Sequence, residues 1–284
     1  MAEIVRDQAE GLRRMFARSA VRSITLTGGQ GAGKTSVAIN LAAAFARRGR
    51  RTLLLDEASG AGGSAAYLGL RPQWDLWHVM RGQKKLREVM LAGPAGVMLA
   101  PAGKAVAALD EVSVAECDAW IATMAGWEGD VVLVDAAGGV SSLSLAAQET
   151  IVVVSAGAEA ITEAYATIKA HARDFARQRF HILVNRVKSQ QQAEAVFASL
   201  DQAMRRFLNI SPHYLGMVPH DEEMRRSARL RLPVVEAYRG AQSAAAFGEV
   251  VDAIEQWPYP EETCLEDFMQ RLIGGSRLSA SMPL

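Results

Sequence analysis

The hydrophobic pattern near the beginning of the chain predicts a strand, a loop and a helix in succession. Residues 21–27 alternate and then run apolar, as a buried strand does. Residues 28–34 are rich in glycine, and residues 35–48 place Val37, Leu41 and Phe45 at helical spacing. A glycine-rich turn that joins a strand to a helix is therefore the first element that the sequence predicts.

The same alternation of apolar runs and helical stretches recurs along the chain. The runs are β-branched or leucine-rich and cover residues 52–55, 131–134, 151–154 and 182–184. Helical periodicity fills most of the sequence between them. Short apolar strands that alternate with helices are typical of a parallel sheet covered on both faces. We therefore predict a three-layer α/β fold, with a mostly parallel sheet and helices on both sides.

Both ends of the chain depart from this pattern. Residues 1–20 predict a basic amphipathic helix with an apolar stripe formed by Val5, Ala9, Leu12 and Phe16. The prolines within residues 257–260 end the central domain, and residues 265–273 predict a short helix with one apolar face. The predicted organisation is an N-terminal segment, a central domain and a C-terminal helix with its tail, at residues 1–20, 21–260 and 261–284.

Composition narrows the classes of protein that remain. The chain has 284 residues, half of them hydrophobic, which suits one large α/β domain. Lys and Arg together number 31, as do Asp and Glu, so the net charge gives no reason to expect nucleic-acid binding. The two cysteines match no metal-ligand spacing, and no apolar run reaches the roughly 18 residues that span a bilayer. We expect a cytoplasmic protein without direct nucleic-acid contact.

Residues 28–35 satisfy the pattern G-x-x-x-x-G-K-[ST] of a phosphate-binding loop. Glycines let backbone N–H groups converge on phosphate oxygens, and the next helix adds the partial positive charge of its N-terminus. Lys34 is predicted to reach the β- and γ-phosphates, and the Thr35 hydroxyl to bind Mg²⁺. We expect ATP or ADP to bind with Mg²⁺ along the whole loop, formed by Gly28, Gly29, Gln30, Gly31, Ala32, Gly33, Lys34, Thr35 and Ser36. The structural alternative is an ordinary glycine-rich turn, against which the strand–loop–helix context argues.

An acidic residue ends the apolar run at residues 131–134. Asp135 stands where a phosphate-loop protein places a carboxylate near the Mg²⁺ shell. Alone, an aspartate at a strand end is usually a cap or a turn residue. Together with the loop, it indicates that Thr35 and Asp135 are the metal-side residues, partly through water.

With these motifs and several later stretches, the chain resembles the MinD/ParA class of P-loop ATPases. More narrowly, it resembles the flagellar-number regulators FlhG, FleN and YlxH. The narrower resemblance rests on residues 7–13, DQAEGLR, which are similar to that branch's DQAxGLR signature. The later stretches are LGLRP, EAYATIK, LVNRV and YLGMVPHD, at residues 68–72, 163–169, 183–187 and 214–221. The resemblance covers the chain to about residue 259.

The resemblance implies roles that spacing alone does not show. Asn185, Pro219 and Asp221 would line an adenine pocket, although on their chemistry alone Asn185 is a polar strand end and Pro219 a turn former. Gly138 and Gly139 would belong to a switch that senses the γ-phosphate. Two copies of the chain would form a nucleotide-dependent sandwich dimer.

Two departures from the family pattern affect hydrolysis. The family's loop carries a signature lysine that crosses to the partner's phosphates, whereas Gly29 stands at that position here. The family's second strand ends in D-x-D, whose second aspartate positions the attacking water, whereas this chain has Asp56, Glu57 and Ala58. Compensation by Gln30, Glu57 or a lysine elsewhere is the alternative. We expect low or absent turnover from a weakened catalytic set formed by Lys34, Asp56 and Asp135.

The two end segments have implied partners. In the flagellar branch the DQA segment engages an FlhF-type GTPase, and the corresponding residues here are Asp7, Gln8, Ala9, Leu12 and Arg13. The alternative is that their apolar stripe packs on the chain's own domain. Relatives carry a membrane-targeting helix at the C-terminus, but here Glu266 and Asp267 outnumber Arg271, while interfacial helices favour Lys and Arg. We expect weak or no membrane contact, and self-packing is at least as well supported.

The resulting interpretation is an ATP-binding regulator of flagellar number or placement. It would act through an FlhF-type GTPase and a flagellar transcription activator, in the cytoplasm or peripherally at the inner membrane or cell pole. Two other functions stay open. One is an active ParA/MinD-type positioning ATPase, and the other is a scaffold that binds partners without nucleotide.

Overall fold

The apolar runs of the sequence form the strands of one central sheet. The computed structural model describes residues 21–58, 62–125, 127–258 and 265–280. Its eight strands are β1 Arg22–Thr27, β2 Thr52–Asp56, β3 Leu91–Ala92, β4 Met98–Pro101, β5 Val131–Asp135, β6 Glu149–Ser155, β7 His181–Val187 and β8 His213–Pro219. They lie in the order β3-β4-β2-β5-β1-β6-β7-β8. All neighbours are parallel except β3 and β4, so the predicted mostly parallel sheet is confirmed.

Helices connect the strands and cover the sheet. They are α1 Lys34–Arg47, α2 Ser64–Tyr67, α3 Leu76–Met80, α4 Leu86–Val89, α5 Gly103–Ala107, α6 Val114–Ala125, α7 Ser142–Ala146, α8 Ala158–Phe175, α9 Gln190–Leu208, α10 Glu222–Arg229, α11 Val234–Ala237, α12 Gln242–Glu255 and α13 Leu265–Ala280. Short 3₁₀ turns lie at Pro94–Gly96 and Leu109–Glu111. The predicted helix after the glycine-rich loop is α1.

Alternate residues of the strands enter separate cores on the two faces of the sheet. Leu54 of β2 and Leu133 of β5 pack with α1 and α12, whereas Leu53 and Val132 point into the core under α3 to α7. A strand whose successive side chains are buried on opposite faces must be apolar at every position. The uninterrupted apolar runs in the sequence are therefore explained by a sheet with helices on both faces.

Three strands were not predicted from the sequence. β3 has two residues, and β4 reads MLAP, which is too short and too poor in β-branched residues to stand out. β8 reads HYLGMVP, and Gly216 interrupts its apolar character. These strands lie at or next to the two edges of the sheet, where one side lacks the full packing that makes central strands recognisable.

The C-terminal helix packs against its own domain. Its apolar face is buried against α6 and α7, and it consists of Leu265, Phe268, Met269, Leu272 and Ile273. The Nε atom of Arg271 donates to the carbonyl of Ala146 at 2.8 Å. The helix continues to Ala280, beyond the predicted end at residue 273. Within the described residues, no helix is long and apolar enough to cross a membrane.

Candidate nucleotide-binding site

Three central strands deliver the predicted polar residues to one edge of the sheet. In the register of the parallel strands, Leu26 of β1 lies beside Asp135 of β5, and Asp135 lies beside Asp56 of β2. Ligands of open parallel sheets bind outside the carboxyl ends of the strands, where the connecting loops diverge. A cavity of about 850 Å³ opens at this edge.

The phosphate loop forms one wall of this cavity. Gly28 has φ 140°, and a Cβ there would lie 2.2 Å from the carbonyl oxygen of Val153, so a larger residue would clash with β6. The helix α1 begins directly after Gly33, with its N-terminus facing the cavity. Of the predicted loop residues, those that line the cavity are Gly28, Gly29, Gln30, Gly31, Gly33, Lys34, Thr35 and Ser36. Ala32 is buried behind them.

Lys34 bends back over the loop that precedes it. Its Nζ donates to the carbonyl oxygens of Gly28 at 3.1 Å and Gly29 at 3.0 Å. Burial lowers the pKa of Lys34, and the nearby carboxylates of Asp135 and Glu163 oppose this shift. Bound phosphate oxygens would replace the two carbonyl acceptors with charged ones, which make stronger hydrogen bonds.

Thr35 and Asp135 lie together, as the sequence predicts for the metal-side residues. The Thr35 hydroxyl donates to Asp135 at 3.2 Å, and the Ser64 hydroxyl donates to the other carboxylate oxygen at 2.8 Å. Burial raises the pKa of Asp135 to about 6, although the hydrogen bonds from Ser64 and Thr35 act in the opposite direction. Two hydroxyls and one carboxylate are the hard oxygen ligands that suit Mg²⁺, which completes its shell with phosphate and water. These residues therefore fit the implied metal.

Asp56 lies one strand away and is committed to the backbone. Its carboxylate accepts hydrogen bonds from the N–H groups of Ala58 at 3.2 Å and Ala65 at 2.8 Å. Burial raises its pKa, which the backbone hydrogen bonds oppose. Asp56 is not among the described residues that line the cavity. Its contacts hold the start of α2, from which Ser64 reaches Asp135.

Ala58 occupies the position of the family's second aspartate, and it lines the cavity. The neighbouring residue Glu57 points instead toward the loop that follows β5. The carboxylate of Glu57 is buried and accepts a hydrogen bond from the N–H of Ala137 at 3.0 Å. Burial raises its pKa, and a hydrogen bond from Ser141 opposes this. Glu57 therefore does not take the water-positioning place in this conformation.

A second cavity of about 360 Å³ brings together the three residues implied for the adenine pocket. Asn185, Pro219 and Asp221 line it, and it shares Ser36, Tyr67 and Arg186 with the larger cavity. The amide of Asn185 donates to the carbonyl of Ala32 at 2.8 Å, which ties β7 to the phosphate loop.

Asp221 is held by the fold at the rim of this second cavity. Its carboxylate accepts hydrogen bonds from the N–H of Glu223 and from the N–H and hydroxyl of Ser243, at 2.9, 2.9 and 2.7 Å. Burial raises the pKa of Asp221, but the hydrogen bonds outweigh it and lower the pKa to about 2. The residue is therefore an ionised cap of α10 as well as a lining residue.

The structure brings further residues to the site that the motifs do not indicate. Arg186 has φ 60°, and its guanidinium donates to the carbonyl of Gly31 at 3.0 Å. Ser64, Tyr67 and Glu163 also come from outside the loop, Ser64 to contact Asp135 and the other two to line the larger cavity. Glu163 and Arg186 belong to two of the stretches that carry the family resemblance, and Ser64 and Tyr67 lie just before another, but none of the four belongs to the phosphate-loop motif.

The loop after Asp135 forms another part of the cavity wall. Gly138 and Gly139 both have positive φ and line the cavity. The hydroxyl of Thr27 donates to the carbonyl of Gly139 at 3.4 Å, and Glu57 holds the N–H of Ala137. The predicted partner-binding residues Asp7, Gln8, Ala9, Leu12 and Arg13 lie outside the described residues.

The fold and this loop together define a P-loop nucleotide-binding domain of the doubly wound α/β class. Residues 24–234 match the family model described as the CobQ/CobB/MinD/ParA nucleotide binding domain. A structure of MinD complexed with Mg-ADP from Pyrococcus horikoshii aligns with a TM-score of 0.63 and 20% identity, over 83% of this chain and 96% of that one.

Two curated relatives narrow the assignment. The chain is 35% identical to the antiactivator FleN of Pseudomonas aeruginosa, over 92% of this chain and 97% of that protein. It is 25% identical to the flagellum site-determining protein YlxH of Helicobacter pylori, over 73% of each. The chain belongs to the MinD/ParA family of P-loop ATPases, in the FlhG/FleN branch. The resemblance inferred from the motifs is thereby confirmed.

Proposed function

We propose that this chain binds Mg-ATP and Mg-ADP at the phosphate loop and regulates flagellar number or placement through partner proteins. The observation that supports nucleotide binding is the hydrogen bond between Thr35 and Asp135, with Lys34 nearby. These residues bring the side chains that would bind Mg²⁺ and the phosphates to one cavity. The names of the two curated relatives, an antiactivator and a flagellum site-determining protein, support the flagellar part.

The second cavity is the proposed base pocket. Asn185, Pro219 and Asp221 line a space that joins the phosphate loop at Ser36, so a base there would be contiguous with the phosphates. Lys34, Asp56 and Asp135 remain the proposed catalytic set, with Asp56 acting through the loop that it holds. A triphosphate would be sensed through Gly138 and Gly139, and it would set which surface the protein offers to its partners.

Slow turnover is part of the proposal. The described lining of the cavity has Ala58 where the family has a water-positioning aspartate, and Gly29 where it has a cationic side chain. Phosphoryl transfer depends on positioning and charge stabilisation, and one supplied cation contributes roughly 10³ to 10⁵ in rate in related hydrolases. Two functions compete with this proposal. One is an active positioning ATPase, and the other is a scaffold that binds its partners without nucleotide.

One set of measurements on a single sample separates these functions. Calorimetric titration gives the affinity for Mg-ATP and Mg-ADP, phosphate release gives turnover, and light scattering gives the mass with each nucleotide. Micromolar or tighter binding with turnover well below one per second supports the proposal. Rapid turnover would favour the positioning ATPase, and absence of binding would favour the scaffold. A doubled mass with ATP alone would support the proposed homodimer.

The partner test uses the N-terminal segment. We propose that residues 1–20 bind an FlhF-type GTPase and raise its activity, with a flagellar transcription activator as a further partner. A GTPase assay compares the intact chain, the Gln8→Ala variant and a form that lacks residues 1–20. The intact chain should stimulate the GTPase, and the other two forms should not. The Gln8→Ala variant should keep much of its binding, because its apolar stripe is unchanged and Gln8 supplies only a polar group. Equal activity in all three samples would leave the segment as a packing element.

A further inference from the structure

The second glycine of the phosphate loop lies under a carboxylate. Glu163 of α8 packs over Gly29, and a Cβ built on Gly29 would lie 2.3 Å from Glu163 Oε2 and 2.7 Å from Glu163 Cβ. The side-chain oxygen is able to move, but the Cβ of Glu163 is fixed to the helix backbone. The close approach of α8 therefore requires glycine at position 29, because a residue with a side chain fits there only if the helix moves.

The carboxylate of Glu163 faces the phosphate-binding side of the cavity. Glu163 lines the cavity together with Gly28, Gly29 and Lys34, and its charge acts on the Lys34 ammonium. Within the residues that the structure describes, no hydrogen bond and no ion pair within 4 Å involves this carboxylate. The group is half-buried, so it is less well screened than a surface charge.

A negative charge at this place acts unequally on the two nucleotides. In a loop of this type the lysine reaches the β- and γ-phosphates, so the terminal phosphate of ATP lies close to Lys34 and to the first loop residues. ADP leaves that space to water. The extra negative charge of the triphosphate is therefore closer to the carboxylate of Glu163 than any charge of the diphosphate.

We propose that Glu163 is a specificity-determining residue that makes the site favour a nucleoside diphosphate over the triphosphate. This inference rests on the proposed nucleotide site and identifies the ligand that occupies it at rest. The diphosphate complex is the resting state, and a triphosphate binds well when a cation from a partner or from a second copy of the chain neutralises Glu163.

The test replaces the charge and keeps the shape. Affinities of Mg-ADP, Mg-ATP and the non-hydrolysable analogue Mg-AMP-PNP are measured by calorimetry for the native chain and for Glu163→Gln. The variant should bind both triphosphates about tenfold more tightly, and Mg-ADP less than about threefold more tightly. This gain should shrink as salt is raised from 0.05 M to 0.5 M, because ions screen the repulsion.

Glu159→Gln is the matched control. Glu159 lies one turn earlier on α8, is exposed and does not line the cavity, so its charge should leave the ratio of ATP to ADP affinity unchanged. An equal gain for ADP and ATP in Glu163→Gln, or no gain, would overturn the inference while leaving the nucleotide site intact. If the native chain bound none of the three nucleotides, the proposed function itself would fail, which is a distinct result.

Discussion

Thr35 Oγ1 lies 3.2 Å from a carboxylate oxygen of Asp135, although one hundred positions separate the two residues in the sequence. Thr35 lies in the first turn of α1, which follows β1, and Asp135 ends β5. The strands β1 and β5 are neighbours in the sheet. Ser64 joins the two residues from a third segment. The fold itself therefore brings together the hydroxyl and carboxylate oxygens that suit Mg²⁺.

Lys34→Ala should weaken nucleotide binding by about a hundredfold, because the β- and γ-phosphates lose their cationic partner. Isothermal titration with Mg-ATP and Mg-ADP measures the loss. Lys169→Ala is the control, since Lys169 is exposed on α8 and does not line the cavity. Native affinity in the Lys34→Ala protein would show that the phosphates bind elsewhere.

Ala58→Asp should raise ATP turnover by about tenfold, because Ala58 lines the cavity and an aspartate there restores a carboxylate able to orient water. Ala58→Asn is the matched control, having the same shape without the charge. The rate of phosphate release at saturating Mg-ATP is the readout. A native chain that already hydrolyses ATP as fast as Ala58→Asp would show that another group positions the water.

A lysine at position 29 is a less direct repair of the same site. The close approach of Glu163 leaves no room for a side chain on Gly29 unless α8 moves. Gly29→Lys should therefore disturb the loop and lower nucleotide affinity, rather than supply useful charge. The glycine that replaces the signature lysine is thus also the residue that lets α8 pack closely on the loop.

Phe268→Ala should destabilise the protein by about 3 kcal/mol, because Phe268 is 1% exposed within the core under α6 and α7. Chemical unfolding followed by fluorescence or circular dichroism gives the change in free energy. Gln270→Ala provides the comparison, since Gln270 is exposed on the same helix. A loss below about 0.5 kcal/mol for Phe268→Ala would mean that α13 is not docked in solution.

His171 should make stability fall as the solution is acidified. It is fully buried, its Nδ1 lies 2.9 Å from the carbonyl oxygen of Thr167, and burial lowers its pKa, assisted by the charge of Arg177. A histidine in the unfolded chain has a pKa of about 6.5, so the unfolded chain takes up the proton first as the pH falls. The contribution of neutral His171 to the free energy of unfolding is therefore fully present above the pKa of the unfolded chain. It is lost as the pH falls from there toward the lower pKa of the folded chain.

The difference in unfolding free energy between the native chain and His171→Gln isolates this effect from other titrating groups. It should shrink between pH 7.5 and pH 5, because only the native chain contains the buried imidazole. A difference that stays constant over this pH range would contradict the lowered pKa of His171.

The sequence by itself determined the features whose residues are neighbours along the chain. The phosphate loop is a local structure, because consecutive backbone N–H groups, a lysine and a hydroxyl are presented by one turn and the helix that follows. The central strands were equally visible, since burial on both faces requires unbroken apolar runs. β4 and β8 were missed because nearer the sheet edges that requirement relaxes.

Only the tertiary structure decided which distant residues meet at the cavity and which way they point. Glu57 and Ala58 are adjacent in sequence, yet one binds the backbone of Ala137 and the other faces the cavity, because successive side chains of an extended segment point in opposite directions. The approach of Glu163 to Gly29 depends on how closely α8 packs on the loop, a distance that no local pattern encodes. Contacts of this kind arise from the packing of whole elements, and they set the charge and shape that a bound nucleotide meets.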